Sequence, residues 1–304
     1  MASVRVQDSV SAKTRKRRSS DADGAPGLSV PGAIVRRHDR DRYQTALFAP
    51  SDRREVLFAL YAFNYEVARV RETVTTPMLG QIRLQWWREV VDAVYSSGPQ
   101  RRHEVVQPLV RAIGDFRLSR AHFDRIIDTR ERDLEDTPPA DLAALMDYAE
   151  GTSSALLYAA LEALGAAAPA TVEAAREVGI AYALAGLLRA MPFHAASGRS
   201  YIPQDIAARV GLDPTTYARR RDAPEMRLVA AELATAAAAR LSAGRRRIGQ
   251  TPRRARAALL PAVIADRFLL RLKRAGFNPF AAELAAPDPL QSWRLTAAAL
   301  RNRF

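Results

Sequence analysis

Residues 51–72 read SDRREVLFALYAFNYEVARVRE, and this stretch decides the fold class. Its apolar side chains recur mostly at steps of three and four residues, which is the period of one face of an α-helix. They are Val56, Leu57, Leu60, Tyr61, Phe63, Val67 and Val70. Apolar residues recur with the same period in almost all of the sequence after about residue 31, and there are no alternating runs and no internal repeat. The sequence therefore predicts one all-α domain of roughly ten helices over residues 31–304.

Proline and glycine mark the ends of the predicted helices. Thr76-Pro77, Asp213-Pro214 and Thr251-Pro252 are helix starts with proline at the first helical position. Gly165 ends a long helix that begins at Asp141, and residues 198–205 (GRSYIPQD) form a turn. Further helices are predicted over 118–134, 169–190, 224–248 and 253–275, with a short last helix from Leu290.

The positive charge of the chain is concentrated in two places. The chain holds 46 Lys and Arg against 33 Asp and Glu, a formal charge of +13, yet residues 31–239 are nearly neutral. Residues 240–274 hold eleven basic residues and one acidic residue. Residues 1–30, with the run KTRKRR, are polar and predicted to be a disordered basic tail. The basic helical segment 240–274 predicts contact with an acidic partner, such as an anionic membrane surface.

Several function classes are excluded by what the sequence lacks. Without cysteine there is no disulfide scaffold, Cys-ligated zinc site or cysteine nucleophile. The four histidines have no metal-ligand spacing, and no phosphate-binding glycine loop is present. Specific nucleic-acid binding is not expected, because Phe268 is the one aromatic residue of the basic segment 240–274. In the acidic segment 128–136, Asp128 and Arg132 are spaced to pair along a helix. The excess of arginine and alanine is typical of a GC-rich, bacterial genome.

Five segments in order resemble the squalene/phytoene synthase family. They are DRYQTALFAPSDRREVLFALYAFN (41–64), IIDTRERDLE (126–135), DYAEGTSSALLY (147–158), ALAGLLRAMPFHAASGRSYIPQD (183–205) and PAVIADRFLLRLKRAGFNPF (261–280). The resemblance covers about residues 33–280. It implies the all-α isoprenoid-synthase fold, a single large helical bundle with a central cavity. In active members of this family, two aspartate-rich motifs face each other across the cavity and hold Mg²⁺ ions, which bind and help to ionise prenyl diphosphates.

The two aspartate-rich motifs are degenerate in this sequence. The first should read Asp-x-x-x-Asp where this chain has Ala68 and Glu72, and the second where it has Ala190 and His194. Magnesium requires hard anionic oxygen ligands, so no metal cofactor is expected; Mg²⁺ would be needed only by an active transferase, with Glu72 and Asp133 as its ligands. Pro192 is expected to alter the end of the second motif's helix. No catalytic residue is expected.

The resemblance implies that residues around the family's cavity are retained in this sequence. These residues could still bind a prenyl diphosphate or another apolar ligand, with arginine providing bidentate phosphate contacts. They are Arg53, Arg54, Tyr61, Asp133, Tyr148, Arg189, Arg199 and Tyr201.

Three further sequence segments resemble a non-catalytic branch of the family. This branch comprises the mitochondrial assembly factors for respiratory complex I and their bacterial relatives. The three segments are MLGQIRLQWWREVVDAVY (78–95), DTRERDLEDTP (128–138) and LLRAMPFHAASGRSYIPQDI (187–206). This branch implies an assembly role with complex I subunits or intermediates. It also implies a cytoplasmic or peripheral inner-membrane location in a bacterium, or the matrix side in a mitochondrion. An active prenyltransferase with an atypical site and a nucleic-acid binder remain as alternatives.

Overall fold

The structure is a computed structural model that describes residues 27–213, 217, 223–301 and 303–304. Residues 1–26 of the predicted basic tail lie outside that part of the chain, and so does Pro214 of the helix start predicted at Asp213-Pro214. Within it, no strand occurs. The helices are α1 (Val30–His38), α2 (Arg40–Ala46), α3 (Ser51–Ala68), α4 (Pro77–Tyr95), α5 (Val106–Phe116), α6 (Arg120–Glu131), α7 (Leu142–Ala149), α8 (Ala155–Ala163), α9 (Pro169–Ala196), α10 (Gln204–Val210), α11 (Pro224–Arg245), α12 (Arg256–Leu259), α13 (Pro261–Arg274), α14 (Ala282–Ala285) and α15 (Gln291–Arg301). The prediction of an all-α chain is confirmed.

Helix α3 lies in the middle of the N-terminal half of the bundle. Residues 56–64 are all buried, so this helix is covered on every side by α1, α5, α6 and α8. A helix that is apolar around its whole circumference belongs in a core. Tyr61 and Phe63 are fully buried, and Phe63 packs edge-on against Trp87 of α4 and Phe123 of α6. The start of α4 at Pro77 with Thr76 as its cap is as predicted.

Helix α9 is the central helix of the C-terminal half and packs against α7, α8, α11 and α13. It was predicted to end near Ala190, but it continues through Pro192 to Ala196. Proline removes a single hydrogen bond, the one to the carbonyl four residues earlier. Because Pro192 is exposed and only one turn from the end of α9, the remaining hydrogen bonds hold the last turn. Helix α9 is also long and apolar enough to cross a membrane, although 56% of its most apolar window is buried in this protein, as in a core helix.

The helix predicted from Asp141 to Leu164 contains a wide turn in its middle. Glu150–Ser154 form a π-helical turn between α7 and α8. Neighbouring helices approach this turn closely, since a side chain on Gly151 would collide with Thr129, and one on Gly179 would collide with the backbone of Ser154. The helix stops at Gly165, which has a positive φ of 62°.

The helix predicted over residues 253–275 is divided. A 3-10 turn at Arg253–Ala255 and the one-turn helix α12 come first, and the main helix α13 begins only at Pro261. Proline lacks the N–H that a continuous helix would need, so the hydrogen bonds are interrupted at Pro261 although Leu260 keeps helical backbone angles. The last helix, α15, begins at Gln291, one residue after the predicted start.

Candidate functional site

A closed polar cluster lies where α6, α7 and the loop after α9 meet. Asp133 sits in the 3-10 turn that continues α6, and its side chain is only 5% exposed. Its Oδ1 accepts hydrogen bonds from the hydroxyls of Tyr148 and Tyr201, both at 2.8 Å. Arg130, one helical turn earlier, donates to Asp133 Oδ2 at 3.1 Å and to the Tyr148 hydroxyl at 2.8 Å. Every polar atom of the Asp133 carboxylate therefore has a donor from within the protein.

The electrostatics of this cluster favour protonated tyrosines beside the Asp133 carboxylate. Burial is the main reason that the pKa of Tyr148 lies well above its ordinary value, and the adjacent Asp133 carboxylate raises it further. The same two causes raise the pKa of Tyr201. Both hydroxyls thus stay protonated at neutral pH and act as donors, while the Arg130 guanidinium supplies the balancing charge.

His194 adjoins this cluster at the position of the second degenerate motif. Its ring packs edge-on against the ring of Tyr201, with 4.8 Å between the centroids. Burial, and secondly the positive charge of Arg199, lower the pKa of His194 to about 4. Its Nδ1 is buried without a protein partner. At neutral pH this position therefore holds a neutral imidazole, where the family motif has a carboxylate.

A second buried polar group connects α2 with α3 and α9. The Arg42 guanidinium lies 5.0 Å from the centroid of the Tyr182 ring and 5.9 Å from that of Tyr61, and it pairs with Asp39 at 2.7 Å. The Tyr61 hydroxyl is buried and has no protein partner. Tyr61 thus packs against Arg42 and is separate from the hydrogen bonds of Asp133.

Arg189 binds the adjacent α2 residue. Its Nη1 donates to Asp41 Oδ2 at 2.8 Å, and Gln291 of α15 donates to the other oxygen, also at 2.8 Å. Burial alone would raise the pKa of Asp41, but the charge and hydrogen bond of Arg189 outweigh it, and the pKa is lowered. Arg189 consequently links α9 to the N-terminal and C-terminal helices.

The other predicted site residues do not join the polar cluster in hydrogen bonds. Arg53 donates to the carbonyl of Ala163 at 2.9 Å, and Arg54 donates to that of Ala49 at 3.1 Å. Both side chains therefore bind main-chain carbonyl oxygens. Glu72 is exposed on the 3-10 turn after α3. Ala68 and Ala190 are half-buried and carry no polar side chain.

Two features of the cluster escaped the sequence reasoning. Arg130 was not singled out, although its spacing of three residues before Asp133 puts the two on one helix face. The spacing of Asp128 and Arg132 predicts a pair along one helix, but the two residues do not pair. Asp128 accepts from Arg88 of α4 at 2.8 Å, and Arg132 donates to Asp147 of α7 at 2.7 Å. Partners on packed helices are available to both residues, and they replace the local pair.

The donor set does not fit a magnesium site of the family's type. Within the described ranges, no group of three or more His, Asp or Glu side chains could hold a metal ion. Glu72 and Asp133 were the two ligands considered for Mg²⁺, and the oxygens of Asp133 are already occupied by Tyr148, Tyr201 and Arg130. That the chain uses no metal cofactor stays a prediction.

The structure contains a cavity of about 350 Å³ between α2, α9, α13 and the C-terminal helices. Its lining is rich in arginine, with Asp41 and Asp288 as counter-charges. The basic residues are Arg40, Arg189, Arg267, Arg271 and Arg294. This cavity shares Arg189 with the predicted site residues, whereas Asp133, Tyr148 and Tyr201 do not line it.

Part of the basic segment 240–274 is bound to the protein itself. Arg240 contacts Glu177, Arg245 contacts Asp266, and Arg271 donates to backbone carbonyls. The cations of this segment that are exposed are Arg246, Arg253, Arg254, Lys273 and Arg274.

Comparisons with known proteins agree with this architecture. Residues 35–301 match the family model "Squalene/phytoene synthase". The human protein "NADH dehydrogenase (ubiquinone) complex I, assembly factor 6" is 31% identical over 270 residues, covering 86% of this chain and 81% of its own. The presqualene diphosphate synthase of Rhodopseudomonas palustris is 28% identical over 216 residues, covering 70% of this chain and 75% of its own.

A solved structure supports the fold independently. Squalene synthase HpnC from Alicyclobacillus acidocaldarius superposes with a TM-score of 0.73 at 21% identity, covering 83% of this chain and 94% of its own. The helical bundle, the order of the matched segments and the family model over nearly all of the described chain lead to one conclusion. The chain belongs to the squalene/phytoene synthase family.

Proposed function

We propose that this protein is a non-catalytic member of its family that assists the assembly of respiratory complex I. One observation carries the proposal: the positions of the metal-binding motifs hold Ala68, Ala190 and a neutral His194, and the nearby carboxylate of Asp133 is bonded internally. Support also comes from the relatives named as complex I assembly factor 6 in human, cattle and mouse.

The chemistry of prenyl transfer explains why this arrangement favours a non-catalytic role. A departing diphosphate carries several negative charges, which must be neutralised as the carbon–oxygen bond breaks. Arginines such as Arg189 and Arg199 could contact phosphate oxygens, but Arg189 already binds Asp41. Glu72 is the one carboxylate left at the four motif positions, which is too few to hold the Mg²⁺ ions that would drive ionisation.

A location at a membrane follows from the proposed role. We place the protein on the cytoplasmic face of the inner membrane in a bacterium, or on the matrix side if it is mitochondrial. Its partners would be complex I subunits or assembly intermediates. A prenyl diphosphate or another apolar molecule would at most be a bound ligand.

The proposal is tested by deleting the gene in its host and restoring it as variants. Loss of the protein should lower the amount of assembled complex I on native gels together with NADH:ubiquinone activity. Glu72→Gln is the informative variant, because Glu72 is exposed and is the carboxylate left at the first motif. A non-catalytic protein keeps its assembly function with this change, whereas a metal-dependent transferase loses its activity.

Two results would favour the transferase alternative instead. One is a normal complex I in the deletion strain combined with lost carotenoid, squalene or hopanoid. The other is a coupled C30 or C40 product from purified protein, Mg²⁺ and farnesyl or geranylgeranyl diphosphate. Either result would overturn the non-catalytic role.

A further inference from the structure

The last helix presents two large apolar side chains to solvent. Trp293 is 74% exposed and Leu300 is 79% exposed. They are seven residues apart, which is almost two helical turns, and therefore lie on the same face of α15. Leu295 and Ala299, on the opposite face, are buried against the bundle. The exposed face of α15 is thus apolar, and the packing of the described chain leaves it uncovered.

The corner formed by α1 and α2 extends this surface. Leu47, at the end of α2, is exposed, and with Phe48 it faces Thr296 of α15 across a groove of about 530 Å³. A hydrogen bond from Gln44 to Ser292 at 3.2 Å fixes α2 beside α15. We call the surface made by α15, Leu47 and the exposed side chains of α1 and α2 the terminal face.

The charged side chains that border the groove and the end of α15 are positive. Arg36 and Arg40 border the groove, and Arg301 and Arg303 are exposed at the end of α15. From residue 289 onward the sequence has no acidic residue.

Three acidic side chains close to the groove and to α15 are neutralised within the protein. They form the pairs Asp39–Arg42, Asp41–Arg189 and Asp288–Arg294. Each of these carboxylates is less than one-fifth exposed. An approaching surface therefore meets apolar groups with arginine at their margin.

We propose that the terminal face is the surface by which this protein lies on an anionic lipid bilayer. Tryptophan prefers the boundary between lipid headgroups and acyl chains, and an amphipathic helix with leucine and tryptophan on one side binds in the plane of that boundary. Arginines at the margin add attraction to anionic headgroups. The inference goes beyond the assembly role and does not depend on it, because the lipid alone is the partner.

The basic segment 240–274 lies at the edge of the same surface. Arg245 donates to the carbonyl of Phe304 at 2.6 Å, and Phe304 lies with Pro252 and Arg256 around a small cavity. The exposed Arg253 and Arg254 can therefore add charge, while the apolar contact comes from α15. An apolar face on α4, at Met78 and Ile82, is 69% and 59% exposed, but Arg88 and Arg101 beside it pair with Glu131 and Glu89. These charges cancel, so this face is less suited to an anionic bilayer than the terminal face.

The test is co-sedimentation of the full chain with vesicles of phosphatidylcholine containing 30% phosphatidylglycerol. The double variant Trp293→Ser with Leu300→Ser should lower the partition coefficient at least about tenfold, since it removes the apolar contact. Arg36→Glu with Arg40→Glu should lower it by a similar factor, roughly tenfold, through charge. Met78→Ser with Ile82→Ser is the matched control, which changes two equally exposed apolar residues and should bind like the unchanged protein.

The controls keep the outcome unambiguous. Circular dichroism and thermal unfolding should be unchanged in the Trp293 and Leu300 variant, because both side chains are exposed. Unchanged vesicle binding by this variant would overturn the proposal. So would release only on charge reversal of Arg253 and Arg254, which would assign the contact to the basic segment. Conversion of a dimer to a monomer with binding unaltered would make the terminal face a contact between two copies of this chain.

Discussion

At the scale of single residues, Asp133 is a buried carboxylate whose hydrogen-bond donors all come from the protein itself. A buried carboxylate is costly unless each of its oxygens has a donor. Here Tyr148, Tyr201 and Arg130 supply the donors. Removing one such hydroxyl would leave the charge less satisfied, at a cost of about 1–3 kcal/mol. The cluster therefore stabilises the junction of α6, α7 and the loop after α9, and this structural role requires no bound ligand.

His194 makes stability depend on pH in a defined direction. Its pKa in the folded protein is about 4, below the ordinary value of 6.5. The folded state favours the neutral imidazole, so this contribution is fully present above pH 6.5 and is lost as the pH falls toward 4. The total effect is on the order of 2–3 kcal/mol. Urea unfolding at pH 7 and at pH 4 should show this loss, relative to the variant His194→Gln, which cannot titrate.

An NMR titration of the His194 ring provides the direct measurement. An apparent pKa near 6.5 would contradict the burial of this ring beside Tyr201 and Arg199. Equal pH dependence of the unfolding free energy in the unchanged protein and in His194→Gln would contradict it too.

The sequence could predict Asp133, Tyr148 and Tyr201 as site residues, because the segments that contain them resemble sequence motifs of the family. It could not predict that they bond one another, since the three lie on separate segments. Arg53 and Arg54 were predicted beside them for the same reason, yet their nearest acceptors are the backbone carbonyls of Ala163 and Ala49. A long arginine side chain can reach in several directions, and only packing selects one.

At the scale of elements, contact between α9 and the π-helical turn fixes the centre of the bundle. A β-carbon on Gly179 would lie 2.6 Å from Ser154 Cα and 2.7 Å from its N. These are backbone atoms, so the collision cannot be relieved by a side-chain rotation. The Ser154 hydroxyl also donates to the carbonyl of Arg176 at 2.8 Å, which ties the turn to α9.

Gly179→Ala should therefore destabilise the protein by about 1–3 kcal/mol or more, through overpacking of the core. Gly186→Ala is the matched control, because Gly186 lies on the same helix and a β-carbon there has no atom within 4 Å. The control should be neutral, or more stable by up to about 1 kcal/mol, from helix propensity. Chemical unfolding of both variants gives the comparison, and equal stabilities would show that the close approach of α9 to the turn is absent.

The sequence pattern predicted where helices begin and end better than where they are irregular in the middle. Pro77, Pro169 and Gly165 mark real ends because they stand where a helix begins or stops. Pro192 was interpreted as a disruption although α9 passes through it, and the π-helical turn gave no signal in the residue pattern. Both outcomes depend on neighbouring helices, which a local pattern does not contain.

At the scale of the whole molecule, the charge is distributed unevenly between the body and the C-terminal part of the chain. The body over residues 31–239 is nearly neutral and its polar cluster is internally satisfied. The excess of positive charge in the described chain lies mainly in the basic segment 240–274.

A metal-binding test addresses the whole molecule, since it asks whether the fold still responds to the family's cofactor. A ligand present at 100 times its dissociation constant stabilises the folded state by about 2.7 kcal/mol. For a domain of this size that would raise the melting temperature by roughly 5–10 °C. With 10 mM Mg²⁺ and inorganic diphosphate we expect a shift below about 1 °C. A family member with both aspartate motifs, assayed in parallel, supplies the positive control. A shift equal to that of the control, and absent with diphosphate alone, would mean that Glu72 and Asp133 hold metal after all, so that the hydroxyls of Tyr148 and Tyr201 must release the Asp133 carboxylate when Mg²⁺ binds.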